Sequence, residues 1–186
     1  KQFLQEIEQF HRVSEKLSSD ELVFMLVPFR QTYDQNRHLQ LLVCRPDLVD
    51  STLAVHQSFF AQWGFTPGTD PRTLITALEF EEMADRYRAY GYLFGYPKYA
   101  VDFFVEAHLQ KEEGGEFVKR DFFHIPVFER EEGRFTYAMP KDHQPAETES
   151  LIYQRSVKLL NKYKQIRSKY VDDETIDVEN LLKDWN

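Results

Sequence analysis

The spacing of apolar residues along the chain predicts its helices. Apolar positions recur every three or four residues over 2–17, 46–63, 71–94, 98–111, 145–170 and 176–185. This spacing gathers apolar side chains on one face of a helix, so the pattern predicts about six helices. Cap residues support the boundaries. Pro71 stands where a helix would begin and Gly64 where one would end.

A first pair of strands is predicted near the start of the chain. Residues 22–29 and 38–44 are nearly continuous apolar runs, and the polar segment 31–37 joins them. We interpret the two runs as buried antiparallel strands. Short apolar runs are also compatible with helices, so this alternative stays open at the level of sequence.

A second pair of strands is predicted further along the chain. Residues 122–128 and 134–139 alternate in character on either side of 129–133. This pattern is typical of a β-hairpin, in which we expect Gly133 to occupy a positive-φ position of the turn. Pro126 has no amide hydrogen for the ladder, so its strand should lie at an edge or carry a bulge.

Paired strands with segregated helices indicate an α+β fold. We expect two antiparallel strand pairs, over about 22–44 and 122–139, with the helices packed on them. A length of 186 residues is typical of a single domain, so we predict one domain over 1–186. Residues 172–186 are expected to form a short acidic C-terminal helix packed on it.

Composition narrows the classes of function. The net charge of −8 argues against a general nucleic-acid binder, which needs lysine and arginine to displace counterions. The sequence has no run of 18 or more apolar residues, which predicts a soluble chain without a membrane span. Localisation stays open: the cytoplasm is favoured, but a leader before Lys1 would permit secretion or a lipid anchor. The single cysteine, Cys44, is predicted to be a buried small apolar residue rather than a reactive thiol.

The densest aromatic segment is 87–104, which carries eight rings around a Gly-Tyr-Pro turn. One interpretation is a helical corner whose rings fill the core. Tyrosine hydroxyls, however, need hydrogen-bond partners or water, so some of them should reach a surface or a cavity. We therefore name Arg88, Tyr92, Tyr96 and Tyr99 as candidate ligand-binding residues.

Charged residues offer a weaker case for catalysis. His124 is a candidate proton shuttle, with Asp121 near it in sequence and Glu81 as a further carboxylate. The structural alternatives are a hydrogen-bonded core histidine and, over 79–88, a solvated charged helix face. The sequence has no metal-ligand spacing, nucleophile elbow or phosphate-binding glycine loop, so neither a metal nor a cofactor is predicted.

The helix predicted over 145–170 is basic beyond its first turn, and an acidic tail follows it. The tail is expected to fold back on the cations. The alternative is a docking face for an acidic partner or a membrane surface, with the tail as a competitor.

Two functions of different class follow from these patterns. The first is a non-catalytic binding domain that uses the corner at 87–104 for a small molecule or a protein partner. The second is a hydrolase or isomerase without a local motif, built on His124, Asp121 and Glu81. The sequence gives no prediction of the oligomeric state.

Overall fold

Helices and two separate strand pairs make up the fold. The computed structural model describes residues 2–128, 130–172 and 175–185. Within these residues it contains eight α-helices and two antiparallel two-stranded sheets, which confirms the α+β class. The chain divides into two compact units, Lys1–Tyr96 (unit 1) and Pro97–Asn186 (unit 2). The expectation of a single domain over 1–186 stays a prediction.

The elements of unit 1 are α1 Gln2–Leu17, β1 Val23–Tyr33, β2 Asn36–Cys44, α2 Pro46–Val55, α3 Gln57–Phe60, a 3-10 turn Ala61–Trp63, α4 Pro71–Glu79 and α5 Met83–Leu93. The elements of unit 2 are α6 Lys98–Glu112, β3 Arg120–Val127, β4 Arg130–Pro140, α7 Glu147–Tyr170 and α8 Val178–Trp185. None of the described helices is long and apolar enough to cross a membrane.

The first hairpin is tighter than the polar segment 31–37 suggested. Its turn consists of Asp34 and Gln35, both at positive φ (47° and 61°). Two consecutive positive-φ residues match the right-handed twist of the flanking strands, so the polar residues on either side continue the ladder. Thr32, for example, is paired with Arg37.

Only one face of the first hairpin is buried. Alternate residues of β1 (Val23, Met25 and Val27) form a core cluster with Ile75 of α4. Every second residue of β2 from position 39 to 43 is 41–49% exposed, so the prediction of two buried strands was wrong for β2. A two-stranded sheet has two faces, and α4 covers the face that carries the core cluster.

The other face of the hairpin is the side on which α1 packs. The helix has the bounds that its apolar spacing predicted. Its C-terminal end is fixed by Ser18, whose hydroxyl accepts a hydrogen bond from the Phe24 amide (3.0 Å) and donates one to the Ser14 carbonyl (2.8 Å). Phe3 and Phe10 nevertheless remain 64% and 56% exposed.

The long helix predicted over 71–94 is two helices. The first ends at Glu79, and the second begins after Glu82, whose ψ of 149° is extended rather than helical. The carbonyls freed by the break accept hydrogen bonds from arginines: Arg86 donates to the Glu79 carbonyl, and Arg30 donates to the Glu81 carbonyl. Helical periodicity continues through such a break, which is why the spacing did not reveal it.

Unit 2 is built around the second hairpin. α6 packs on β4, α7 packs on β3, and α8 packs on α7. β4 begins at Arg130, so Gly133 lies within a strand and the turn predicted at 129–133 was placed too late. Glu129 of that turn lies outside the described residues. The ladder shifts register between Ile125 and Val127, at the proline where a missing donor was expected to disturb it.

Candidate functional site

The tyrosine-rich corner at 87–104 is divided between the two compact units. Tyr96 ends unit 1, whereas Pro97 begins unit 2 and caps α6. Arg88 and Tyr92 therefore belong to unit 1, and Tyr99 belongs to unit 2. Three of the four residues predicted to bind a ligand therefore lie in unit 1, and the fourth lies in unit 2.

Tyr92 is a core side chain. It is only 5% exposed, and its ring stacks on His56 with the centroids 3.7 Å apart and the planes 7° apart. Phe59 and Phe60 contact the same ring edge-on. Arg88 is half-buried in α5, and Tyr96 is half-buried with its ring 5.8 Å from that of Phe94. For Tyr92, the geometry favours the interpretation of the corner as core.

Glu79 is a buried carboxylate at the end of α4. It is 2% exposed and accepts hydrogen bonds from the Tyr90 hydroxyl (2.7 Å) and the Arg30 amide (2.9 Å). Arg86, itself 6% exposed, lies 3.7 Å away and balances the charge. Burial and the bond to Glu79 raise the pKa of Tyr90 well above its ordinary value. Glu79 and Arg86 therefore do not lie on a solvated face, as the sequence had suggested, but form a buried ion pair.

Glu149 is the corresponding carboxylate of unit 2. It lies in the first turn of α7, is 1% exposed, and accepts hydrogen bonds from the hydroxyls of Tyr99 (2.5 Å) and Tyr137 (3.1 Å). Its other oxygen accepts from the Ala146 amide (2.8 Å), which ties the side chain to the start of the helix. Both oxygens are thus used inside the protein, so Glu149 stabilises the fold rather than offering an acid or base to a substrate.

The hydrogen bonds of this cluster change the pKa of each member. Burial pushes the pKa of Glu149 up, but the bonds from Tyr99, the backbone and Tyr137 outweigh it and leave the pKa below its ordinary value. Burial together with the neighbouring carboxylate raises the pKa values of Tyr99 and Tyr137.

His143 packs against this cluster. Its ring stacks on that of Tyr99 with the centroids 4.7 Å apart, and its Nε2 is buried without a hydrogen-bond partner among the described residues.

The three candidate catalytic residues are not gathered into one site within a unit. His124 is exposed on β3, and its Nδ1 lies 3.3 Å from the Thr136 hydroxyl. Asp121 precedes it by three positions, so the two side chains point to opposite faces of the strand. Hydrogen bonds from Lys141 and the Asp142 amide (both 2.8 Å) hold the pKa of Asp121 below its usual range. Glu81 belongs to unit 1, whereas the other two residues belong to unit 2.

A concave feature of unit 1 is a groove between α1 and the outer face of the first hairpin. We call it the apolar groove, and its volume is about 770 Å³. Its apolar lining consists of Phe3, Ile7, Phe10, Leu26, Leu39 and Leu41. Cross-strand pairing places Leu26 opposite Leu41, which makes the floor of the groove continuous from β1 to β2.

A few polar side chains complete the lining: Glu6, Asn36, Arg37 and His38. Arg37 is fixed in place, because its Nη1 donates to the carbonyls of Phe29 (2.5 Å) and Arg30 (3.0 Å). The ring of His38 is held edge-on by Tyr33, with the centroids 6.0 Å apart. An apolar floor with a few oriented polar groups is typical of small-molecule sites.

Comparison with protein-family models, with curated proteins and with solved structures finds no match. Within residues 2–128, 130–172 and 175–185, no group of three or more histidine, cysteine or carboxylate side chains is placed to hold a metal ion. The apolar groove is therefore the candidate site that the geometry of this chain supports best.

Sequence reasoning identified the two walls of this groove but not the groove. The helical spacing of Phe3, Ile7 and Phe10 predicted the helix that forms one wall. The alternation of Leu39 and Leu41 was hidden in a run that looked continuously apolar. Leu42 and Cys44 pack toward the core, and their neighbours at odd positions face α1, which a one-dimensional pattern does not distinguish.

Proposed function

We propose that the protein is a non-catalytic binding domain that holds a small molecule with an apolar body in the apolar groove of unit 1. The proposal keeps the class of function predicted from the sequence and moves the binding surface away from the corner at 87–104. Tyr92 is in the core, and the Tyr99 hydroxyl is bound to Glu149, so neither is available as the primary contact for a ligand.

The observation that carries the proposal is the contiguous apolar lining. Single exposed apolar side chains are common on protein surfaces, but a contiguous concave patch usually marks a binding site. The phenyl groups of Phe3 and Phe10 and the side chain of Leu41 are each about half exposed or more (64%, 56% and 49%) and border one cavity. Covering such area is favourable by about 25 cal/mol for each Å² removed from water.

The size and polarity of the groove indicate the kind of ligand. A volume of about 770 Å³ lies within the range of small-molecule sites. The guanidinium of Arg37 keeps donors beyond the two bonds of its Nη1 to backbone carbonyls, because an arginine side chain has five N–H groups. An elongated apolar molecule with a carboxylate or sulfonate head therefore fits the lining better than a sugar or a nucleotide.

Leu41 and Val43 of β2 give a matched pair of variants for testing the proposal. Leu41 lines the groove and Val43 does not, yet both are 49% exposed and lie on the same face of the strand. We expect Leu41→Glu to weaken binding of an anilinonaphthalene sulfonate dye by about tenfold, since full burial of a leucine contributes roughly 1.5–3 kcal/mol. Val43→Glu should leave the affinity within about twofold of the wild type, as surface changes usually do.

Two measurements test the proposal. A fluorescence titration gives the affinity for the dye, and thermal unfolding in the presence of saturated long-chain carboxylic acids shows whether these acids stabilise the protein. A ligand that binds the folded state raises the unfolding temperature, and the rise continues with the logarithm of the ligand concentration once this exceeds Kd. Equal dye affinity in both variants, together with no thermal shift from any apolar acid, would refute the proposal. Native mass spectrometry of the purified chain would identify a ligand that copurifies with it.

A further inference from the structure

The surface of α7 in unit 2 is strongly basic beyond its first turn. Its only acids are Glu147 and Glu149 at the start of the helix. Six cations follow them: Arg155, Lys158, Lys162, Lys164, Arg167 and Lys169. Lys158 and Lys164 are exposed and form no ion pair within the described residues. A cluster of like charges on one helix is costly by itself, so it points to a partner of opposite charge.

Part of this surface already holds an acidic helix, namely α8 of the same chain. The Lys162 ammonium donates to the Trp185 carbonyl (2.5 Å) and lies 4.9 Å from the centre of the Trp185 ring. The Tyr163 ring contacts the same indole edge-on, with the centroids 6.0 Å apart. Two turns later along α7, the Asp184 carboxylate accepts from the Tyr170 hydroxyl (2.7 Å) and from Lys169 (3.3 Å).

These contacts define how α7 recognises a peptide. An indole ring packs on a lysine and a tyrosine, while a carboxylate in the same helix reaches a second lysine and a second tyrosine. The bonds from Tyr170 and Lys169 hold the pKa of Asp184 below its usual range. Within the described part of the tail, 175–185, Asp184 is the acid that contacts a cation of α7.

A shallow depression of about 560 Å³ lies along one solvent-exposed face of α7, beside the position of α8, and all of its lining residues belong to α7. We call it the basic groove. Its lining includes Tyr153, Val157, Lys158, Asn161, Lys162 and Gln165. Lys162 belongs both to this lining and to the contact with α8, so the two surfaces are continuous. The basic groove offers the exposed ring of Tyr153, the ammonium of Lys158 and three side-chain amides, whereas the ammonium of Lys162 is shared with Trp185. A tyrosine ring beside a lysine is also the kind of contact that holds α8.

We propose that the basic groove of α7 is a docking site for an acidic helical segment of a protein partner, bound in the way that α8 is bound. A peptide suits this surface better than a nucleic acid or an anionic membrane. The chain carries a net charge of −8, which opposes the approach of an extended polyanion, whereas a short acidic helix needs only the local cations. The inference does not depend on the apolar groove, which lies in unit 1.

The test uses the full chain and a fluorescently labelled synthetic peptide with the sequence of residues 176–185, the segment that contains α8 and contacts α7 in the structure. Two lysines of α7 give a matched pair of variants. Lys158 lines the basic groove, whereas Lys164 does not, and neither forms a hydrogen bond, ion pair or cation–π contact with the described residues of α8. We expect Lys158→Gln to weaken peptide binding by about threefold at low salt, in line with exposed ion pairs, and Lys164→Gln to leave it unchanged.

Fluorescence anisotropy over a range of salt concentrations measures the affinity. The indole N–H resonance of Trp185 in isotope-labelled protein reports whether α8 stays in place, because the peptide carries no isotope and Trp63 gives a separate resonance. Binding that weakens with salt, depends on Lys158 and leaves the Trp185 resonance unchanged supports the proposal. Absence of binding, or equal binding to both lysine variants, overturns it.

Two further results point to other events at this surface. Loss of the Trp185 signal on binding shows that the peptide has exchanged with α8 and does not occupy the basic groove. Tighter binding of single-stranded DNA or anionic vesicles than of the peptide points to another partner class. Either of these results also overturns it.

Discussion

The phenol of Tyr99, at the start of α6, donates a hydrogen bond to the buried carboxylate of Glu149, 50 residues further along the chain. Tyr137 of β4 donates to the same oxygen. This cluster ties a helix start, a strand and the first turn of α7 together within unit 2. Unit 1 has a comparable pair in Tyr90 and Glu79. Of the three tyrosines that the sequence suggested as ligand contacts, Tyr99 thus provides a hydrogen bond to a buried glutamate.

Replacing Glu149 by glutamine should destabilise unit 2 strongly. The amide keeps the size of the carboxylate but turns one acceptor into a donor, which then faces a tyrosine hydroxyl or the Ala146 amide. Hydrogen bonds to charged groups contribute about 1.5–3 kcal/mol each, so we expect a loss of about 3 kcal/mol in the free energy of unfolding, measured in urea. Glu147→Gln, an exposed change in the same helical turn, should cost less than about 0.5 kcal/mol. Equal losses in the two variants would show that the network does not stabilise the fold.

The stability of the protein should fall in acid partly because of Glu149. Its pKa in the folded state is lower than in the unfolded chain, so the unfolded state binds more protons as the pH falls. The contribution is fully present above the pKa of an unfolded glutamate, about 4.3, and is lost as the pH drops through the lower value of the folded state. Urea unfolding of the wild type and Glu149→Gln between about pH 6 and pH 3 should give curves that converge at low pH. A constant difference across that range would contradict the assignment.

Alkaline titration should reveal tyrosines that ionise late. The pKa values of Tyr90, Tyr99 and Tyr137 are all raised, with burial as the first cause and a neighbouring glutamate as a further one. The stability that they contribute is fully present below about pH 10 and is lost as the pH rises through their folded-state values. Ultraviolet absorbance of the phenolate should therefore show fewer than the ten tyrosines ionising in the ordinary range until the chain unfolds.

Two tyrosine-to-phenylalanine variants test which tyrosines ionise late. Tyr90→Phe should remove one late-ionising group and lower the free energy of unfolding by about 1–2 kcal/mol, since Glu79 loses a donor. Tyr33 is 70% exposed and is the matched control, so Tyr33→Phe should leave the free energy of unfolding and the late-ionising signal unchanged. If Tyr90→Phe removes amplitude from the early phase instead, its hydroxyl is not bound to Glu79 in solution.

Local patterns predicted the elements that are decided locally. The bounds of α1 follow from its apolar stripe, and the 3-10 turn at Ala61–Trp63 ends at Gly64, whose φ is 78° as a helix-ending glycine requires. Asp70 accepts from the amides of Arg72 and Thr73, so the start of α4 was also readable from the sequence.

The candidate sites could not be predicted from local sequence patterns, because they depend on contacts between residues that are far apart in the chain. Glu79 looks like any other acid in a charged stretch, and only the approach of Arg30 from β1, 49 residues earlier, shows that it is buried. The same holds for Glu149 and its tyrosines. The sequence shows which side chains are polar. It does not show which of them have a hydrogen-bond or ion-pair partner that offsets the cost of burying them.

Cys44 offers a test of the core of unit 1. The thiol is half-buried beside the cluster of Val23, Met25 and Ile75, and burial is the main cause that raises its pKa. Only the thiolate attacks a disulfide reagent, so both the raised pKa and the restricted access should slow the reaction. We expect the folded protein to react with an aromatic disulfide roughly tenfold more slowly than the urea-unfolded chain at the same pH, with a rate that keeps rising above the pKa of an ordinary thiol. Equal rates in the folded and unfolded states would mean that β2 detaches from the core readily, which would also remove the floor of the apolar groove.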